Sequence, residues 1–192
     1  MKRKKVNDMS FSSIELCSRA LNKIGANPIT SFNDGTVEAE VCGSLYSTLK
    51  QKLLCLYNWS FAIKVAQLTV VEGVQRYDFS YAYALPVDFL RAIKITSEGK
   101  YKIAGSYLFS NEENVELEYI ADVLETQFSP MFISAFIYLM AAELSISFLN
   151  DTSRYSLFYR LFNNEIKEAK SIDSMQQMNK KIRNFSLVNV RK

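Results

Sequence analysis

Four glutamates between residues 112 and 118 come closest, in residue type and spacing, to a reaction centre. Glycoside cleavage uses two carboxylates, and either the adjacent Glu112 and Glu113 or the alternating Glu116 and Glu118 could form such a pair. Adjacent acids in a turn, and acids on the outer face of an alternating strand, are usually solvated. We therefore predict that these glutamates lie on the surface and that the chain has no catalytic residues.

The absence of histidine excludes much of the remaining enzyme chemistry. Without it, His-based triads, the usual proton shuttle and most zinc sites are not available. The six glycines fit neither the dinucleotide fingerprint nor the phosphate-binding loop. We expect no cofactor, no metal site and no enzymatic activity.

Aromatic residues are interleaved with Lys100 and Lys102, a pattern that occurs on stacking platforms for single-stranded nucleic acid. Aromatic residues at strand spacing are more often part of a core, and we prefer that interpretation. Trp59, the single tryptophan, is likewise predicted to be core, between the central helix and the strands.

The three cysteines, Cys17, Cys42 and Cys55, lack a Cys-x-x-Cys spacing and are predicted to be reduced thiols of a protein made in the cytoplasm.

Positive charge is concentrated at the two ends of the chain. Residues 2–5 carry four positive charges and the segment after Asp173 carries five, so a net charge of +3 leaves the rest of the chain at −6. Such ends could bind nucleic acid or an acidic protein surface, or they could be solvated tails, which we prefer for the first five residues. Because no apolar stretch follows residues 1–5, we expect that they are not a secretion signal.

The longest helical pattern begins near residue 36, with Asp34 or Thr36 as N-cap and with Glu38 and Glu40 in the first turn, where the helix dipole favours acids. Its apolar residues recur at steps of three and four and are predicted to form one buried stripe. These residues are Ala39, Cys42, Tyr46, Leu49, Leu53 and Leu56.

Three further helices are predicted around this one. Ser12 and Glu15 can form a capping box for a helix that ends at Gly25 and packs against the central helix. Ser129 and a proline at the first helical position begin another helix, apolar on nearly all sides over residues 131–149, with Phe132 and Phe136 in the core. Such a helix is either a membrane span or covered by other protein, and we prefer cover by protein. Residues 150–152 cap the last helix, whose apolar face ends at Ile172.

Between the second and third helices the pattern becomes alternating, which predicts a small antiparallel sheet or barrel. The predicted strands are Val65–Val71, Gln75–Phe79, Phe89–Thr96, Lys100–Ala104, Tyr107–Phe109 and Val115–Ile120.

Several short segments, taken in order, resemble one protein family. They are residues 20–26, 29–31 and 34–35, the central helix up to Trp59, the run 81–91 that contains Leu85-Pro86 and Asp88, and residues 128–132 and 141–144. Together they resemble the head-to-tail adaptor family of short-tailed bacteriophages, also called tail tubular protein A. The resemblance implies a structural virion protein at the head–tail interface, a homo-dodecameric ring that docks beneath the portal protein and gives tail or nozzle proteins a platform. Packaged DNA would pass through the ring without sequence-specific binding, and no membrane would be involved. The basic N-terminal extension and the long C-terminal tail depart from the family pattern.

We therefore predict an α+β fold in which helices from both ends of the chain form one bundle. The predicted parts are a basic arm at 1–9, a discontinuous helical domain at 10–63 and 123–172, an inserted β-domain at 64–122, and a C-terminal tail at 173–192. The tail is either a frayed end or a segment that binds a partner protein. Its candidate contact residues are Lys180, Lys181, Arg183, Phe185, Leu187, Val188 and Val190. The alternative function is a nucleic-acid-binding module that uses the basic termini.

Overall fold

The computed structural model describes residues 11–75, 77–95 and 99–176. In these ranges the chain forms four α-helices, two short 3-10 helices and six strands, an α+β fold as predicted. All of the strands lie between the second and third helices in the chain. The helices are α1 (Ser13–Ile24), α2 (Val37–Cys55), α3 (Pro130–Ser147) and α4 (Thr152–Gln176), and the 3-10 helices are Ser60–Ala62 and Glu125–Gln127.

The strands form two antiparallel sheets of three strands each, with the orders β1-β6-β3 and β2-β5-β4. They are β1 (Ile63–Gln67), β2 (Tyr81–Ala84), β3 (Phe89–Ile95), β4 (Tyr101–Ala104), β5 (Tyr107–Ser110) and β6 (Glu116–Ala121). The predicted strand at 75–79 is wrong, since residues 77–78 form a turn in which Tyr77 has φ 53°. The strand lies instead at Tyr81–Ala84, because this segment pairs with β5.

Short polar side chains begin three of the helices. The hydroxyls of Ser12, Thr36 and Ser129 accept hydrogen bonds from the third backbone N–H that follows each of them, at 3.2, 3.2 and 3.3 Å. The Ser12 half of the predicted capping box forms, and the Glu15 carboxylate pairs with Arg19 at 2.8 Å. Gly25 ends α1 with φ 78°, a left-handed conformation that favours glycine.

Helix α3 is the centre of the helical part of the molecule. It packs against α1, α2 and α4. Helix α2 makes a more extensive contact with α3 than with α1. By length and composition α3 could cross a membrane, yet most of it is covered by the other three helices. Ala135 and Ala142 are fully buried inside this single chain, together with Phe132 and Phe136. The apolar surface of α3 is therefore largely used within one copy of the protein.

The stripe of α2 is buried except at its end. Ala39, Cys42, Tyr46, Leu49 and Leu53 are all in the core, with Cys42 beside the buried Cys17 of α1. The assignment of Leu56 to the core is wrong, because Leu56 is 50% exposed.

The indole of Trp59 explains the exposure of Leu56. Trp59 is fully buried and donates a hydrogen bond from Nε1 to the Leu53 carbonyl at 3.0 Å. Its ring packs edge-on against Phe132 of α3 and stacks on Phe61. The tryptophan therefore occupies the space beneath the last turn of α2, and Leu56 is left at the edge.

The last helix is longer than predicted. Helix α4 continues to Gln176, and Asp173, placed by the sequence at the start of a tail, is only 5% exposed. Its carboxylate accepts hydrogen bonds from the backbone N–H and the hydroxyl of Ser60, the latter at 2.6 Å. These hydrogen bonds connect the C-terminal part of α4 to Ser60, the first residue of the 3-10 helix that leads into β1.

Candidate functional site

Glu116 and Glu118 line one pocket of about 250 Å³ together with Lys94. Glu118 forms an ion pair with Lys94 of β3 at 3.1 Å, and Glu116 lies exposed on the same strand. Glu112 and Glu113 lie in the connection between β5 and β6. Among the described residues, no group of acidic or cysteine side chains could hold a metal ion.

The aromatic residues near Lys102 in the β2-β5-β4 sheet contact one another, but Tyr77 and Tyr101 remain exposed. The Lys102 ammonium lies 3.8 Å from the centre of the Tyr77 ring, which packs edge-on against Phe109 at 5.1 Å. Phe109 is buried, so its ring is not available for a base to stack on. Tyr101, between the two lysines, is 38% exposed, so the core interpretation is wrong for Tyr101 and confirmed for Phe109.

A groove of about 460 Å³ lies between α1 and α3. Its apolar side chains include Phe11, Ile133 and Ile137, and its two cations are already engaged within the chain. Arg19 pairs with Glu15 and lies over the Phe11 ring, while Lys23 lies over the ring of Tyr138. Among the described residues that line this groove, none is a carboxylate.

Two smaller pockets meet at Leu56, and we call their common surface the Leu56 surface. The first is an apolar cavity of about 80 Å³ where α2, α3 and α4 meet, lined by Lys52, Leu53, Leu56, Leu139, Tyr159 and Phe162. The second is an open pocket of about 450 Å³, lined by Cys55, Leu56, Tyr57, Asn58 and Arg91. Neither pocket is lined by a carboxylate, so the Leu56 surface combines an apolar centre with positive charge.

Asp88 forms side-chain hydrogen bonds that connect the strands of the β1-β6-β3 sheet. Its carboxylate accepts hydrogen bonds from Lys64 Nζ at 2.7 Å and from the Tyr119 hydroxyl at 2.9 Å, which joins β1 and β6 to the start of β3. Burial raises the pKa of Asp88, but the bonds from Lys64 and Tyr119 outweigh it and hold the pKa below its ordinary value. Burial, together with the bond to Asp88, raises the pKa of Tyr119 to about 12.

Ion pairs and a hydrogen bond connect α2 to the segment between β6 and α3. Lys50 lies 2.9 Å from Asp122 and 3.4 Å from Glu125, and Glu125 also accepts a hydrogen bond from the Tyr46 hydroxyl at 2.9 Å. Burial and the neighbouring Glu125 raise the pKa of Tyr46. These contacts orient the connection between the sheet and the helices, and they contain no group placed to act on a substrate.

The candidate contact residues of the tail, Lys180, Lys181, Arg183, Phe185, Leu187, Val188 and Val190, lie outside the described residues, as does the basic arm at 1–9. The Leu56 surface and Asp173 were missed by the sequence reasoning. Leu56 has the same spacing as the buried apolar residues of α2, so the sequence does not indicate that it is exposed. Asp173 is separated from Ser60 by 113 positions, and no local pattern connects the two residues.

The chain matches no protein-family model, and no curated protein matches it.

Proposed function

We propose that this protein is a structural virion protein, the head-to-tail adaptor of a short-tailed bacteriophage. In this proposal twelve copies form a ring that docks beneath the portal protein and presents a platform to the tail or nozzle proteins. The ring surrounds the channel through which the packaged DNA passes. The protein works by assembly and not by turnover.

The proposal rests on the positions, in the fold, of the residues that resemble the adaptor family. In the segment 29–34, the Asp34 carboxylate accepts hydrogen bonds from the Thr30 and Ser31 backbone N–H groups at 2.7 and 3.0 Å. These bonds lower the pKa of Asp34. In the segment 81–91, Asp88 ties three strands together, and Trp59 lies at the junction of α2 and α3. The residues on which the resemblance rests thus make contacts that hold the backbone, which supports the proposal.

The charge distribution supports the same proposal. Outside the two basic ends the chain carries −6. A ring built from such a body can present a negative lumen, and DNA moves through a negative channel without binding to it.

The proposal is tested by measuring the mass of the purified protein alone and after mixing it with its portal protein. We expect a complex of defined stoichiometry with the portal. A filter-binding series with duplex DNA across salt concentrations is run in parallel. Failure to bind the portal, together with tight DNA binding that falls steeply with salt, would contradict the proposal and support the alternative nucleic-acid-binding module.

A further inference from the structure

The two ends of helix α2 carry opposite charges, and each charge lies beside an exposed apolar side chain. At the N-terminal end, Val37 is 61% exposed, with Glu38 and Glu40 next to it. At the C-terminal end, Leu56 is 50% exposed, one turn after Lys52. The same helix therefore presents an acidic apolar patch and a basic apolar patch at opposite ends.

The helix dipole accounts for the charges but not for the apolar residues. Acids in the first turn and a lysine in the last turn stabilise any helix. Exposure of Val37 and Leu56 to water adds no stability to the folded chain, because their burial is what would be favourable. The exposed valine and leucine are thus a second feature, independent of the dipole, that points to contact with another surface.

The basic end is built to receive such a contact. The cavity beside Leu56, about 80 Å³ in volume, is walled by Leu53, Leu139 and Phe162, a space suited to a small aliphatic side chain. Lys52 lines this cavity, and Arg91 lines the neighbouring pocket, where it donates a hydrogen bond to Asn58. Neither cation forms an ion pair with any residue that the structure describes.

The acidic end has the complementary features. Glu40 is exposed and has no ion-pair partner within residues 11–75, 77–95 and 99–176. Val37 lies one turn before it, as an aliphatic side chain of the size that the cavity admits. Charge and shape at one end of α2 therefore match those at the other end.

We propose that the Leu56 surface of one copy binds the N-terminal end of α2 of a second copy, with Val37 in the cavity and Glu40 against Lys52. The contact is heterologous, so each copy in a pair keeps one free end for the next copy, and such contacts close into a ring when the rotation between copies permits. This inference rests on the proposed function, because it names the contact between neighbouring subunits of the adaptor ring.

A zero-length carbodiimide cross-link between Glu40 and Lys52 tests the contact directly. The two residues are twelve positions apart on one helix, or about 18 Å, so this cross-link can form only between two copies. We expect the peptide pair to be found by mass spectrometry in the wild-type protein at high concentration. We also expect cross-linked species larger than a dimer, and a limit at the dimer would overturn the heterologous contact.

Charge exchange provides the matched variants. Glu40→Lys and Lys52→Glu are each expected to lower the fraction of protein in species larger than a monomer about tenfold, since each places like charges in the contact. The mass distribution in solution is the readout for these variants, because each substitution also removes one of the two groups that the cross-link needs. An equal mixture of the two variants should assemble again, because each supplies the charge that the other needs. For the mixture the readout is the distribution of masses in solution.

Leu56→Asp removes the apolar part of the contact and is expected to abolish assembly, while Glu168→Lys and Lys100→Glu change charge elsewhere on the surface and should assemble like the wild type. Circular dichroism checks that each variant is folded.

If the wild type binds its portal but gives no Glu40–Lys52 cross-link, this inference fails and the proposed function stands. If the cross-link forms but the portal is not bound, the contact stands and the proposed function fails.

Discussion

The bond between Asp173 and Ser60 joins two parts of the chain that are far apart in sequence. The carboxylate is almost completely buried and accepts both the backbone N–H and the hydroxyl of Ser60. A hydrogen bond to a charged group contributes more to stability than one between neutral groups. The bond thus stabilises the end of α4 and the entry into β1 together.

Replacing Asp173 by alanine is expected to lower the free energy of unfolding by about 1.5–3 kcal/mol, the cost of losing bonds to a charged acceptor. Urea unfolding followed by Trp59 fluorescence measures this change. Ser174→Ala is the control, since the Ser174 hydroxyl is exposed and donates only to the Ser171 carbonyl of its own helix. A loss no larger than that of the control would show that the bond to Ser60 does not stabilise the fold.

Asp88 makes stability depend on pH in the acid range. Its pKa in the folded protein lies below the ordinary value of about 3.9 that it takes in the unfolded chain. A carboxylate with a lowered pKa stabilises the fold above the unfolded pKa, and this stabilisation is lost as the pH falls through the folded pKa.

For Asp88→Asn we expect the largest loss of stability, relative to wild type, above about pH 4, and a smaller loss at lower pH. Urea unfolding at a series of pH values between neutral and about pH 3 measures the difference. Asp78→Asn, in an exposed turn, is the control and should follow the wild-type profile. A difference between Asp88→Asn and wild type that is the same at every pH would contradict the assigned role of Lys64 and Tyr119.

At the scale of elements, α3 connects the parts of the helical bundle. Its side chains at Ala135 and Ala142 are completely buried against the neighbouring helices. Since its cover comes from α1, α2 and α4 of the same copy, damage to α3 should appear as unfolding of the monomer and not only as loss of assembly.

Ala142→Asp should lower the free energy of unfolding by about 3–5 kcal/mol, because it leaves a charge without a partner in an apolar interior. Urea unfolding of dilute protein measures the effect, and Ser147→Asp, at the exposed end of α3, is the control. Equal stability of the two variants would mean that Ala142 is not enclosed by the other helices.

At the scale of the whole molecule, the bond between Asp173 and Ser60 determines which shortened chains can keep the fold. Residues up to Gln176 belong to the helix, and Asp173 is part of the fold. A chain that ends at Ile172 loses this carboxylate, so its behaviour cannot separate a role of the tail in partner binding from a role of Asp173 in folding.

A chain ending at Gln176 is expected to unfold within about 0.5 kcal/mol of the full chain, since it keeps every described contact, and to bind the portal more weakly. Its tail would otherwise reach a neighbouring subunit, with Phe185, Leu187, Val188 and Val190 as apolar anchors and the lysines as steering charges. Urea unfolding and co-sedimentation with the portal measure the two effects. Full portal binding by the shortened chain would show that the tail has no part in assembly.

The sequence by itself determined the features that depend on neighbours along the chain. Ser12, Thr36 and Ser129 begin helices because each side chain bonds to a backbone N–H three residues ahead, and Gly25 ends one because of its own φ angle. The stripe of α2 and the α+β class follow from the periodicity of apolar residues, which local geometry imposes.

Only the tertiary structure decided the features that depend on partners far away in the chain. Trp59 fills the space beneath the last turn of α2, so Leu56 remains exposed although its spacing resembles that of Leu49 and Leu53. The strands separate into two sheets because pairing partners are chosen among distant segments. Asp173 is buried because Ser60, 113 positions away, supplies its donors. Periodicity reports which face of an element is apolar, whereas the packing of the whole chain decides which part of that face another element covers.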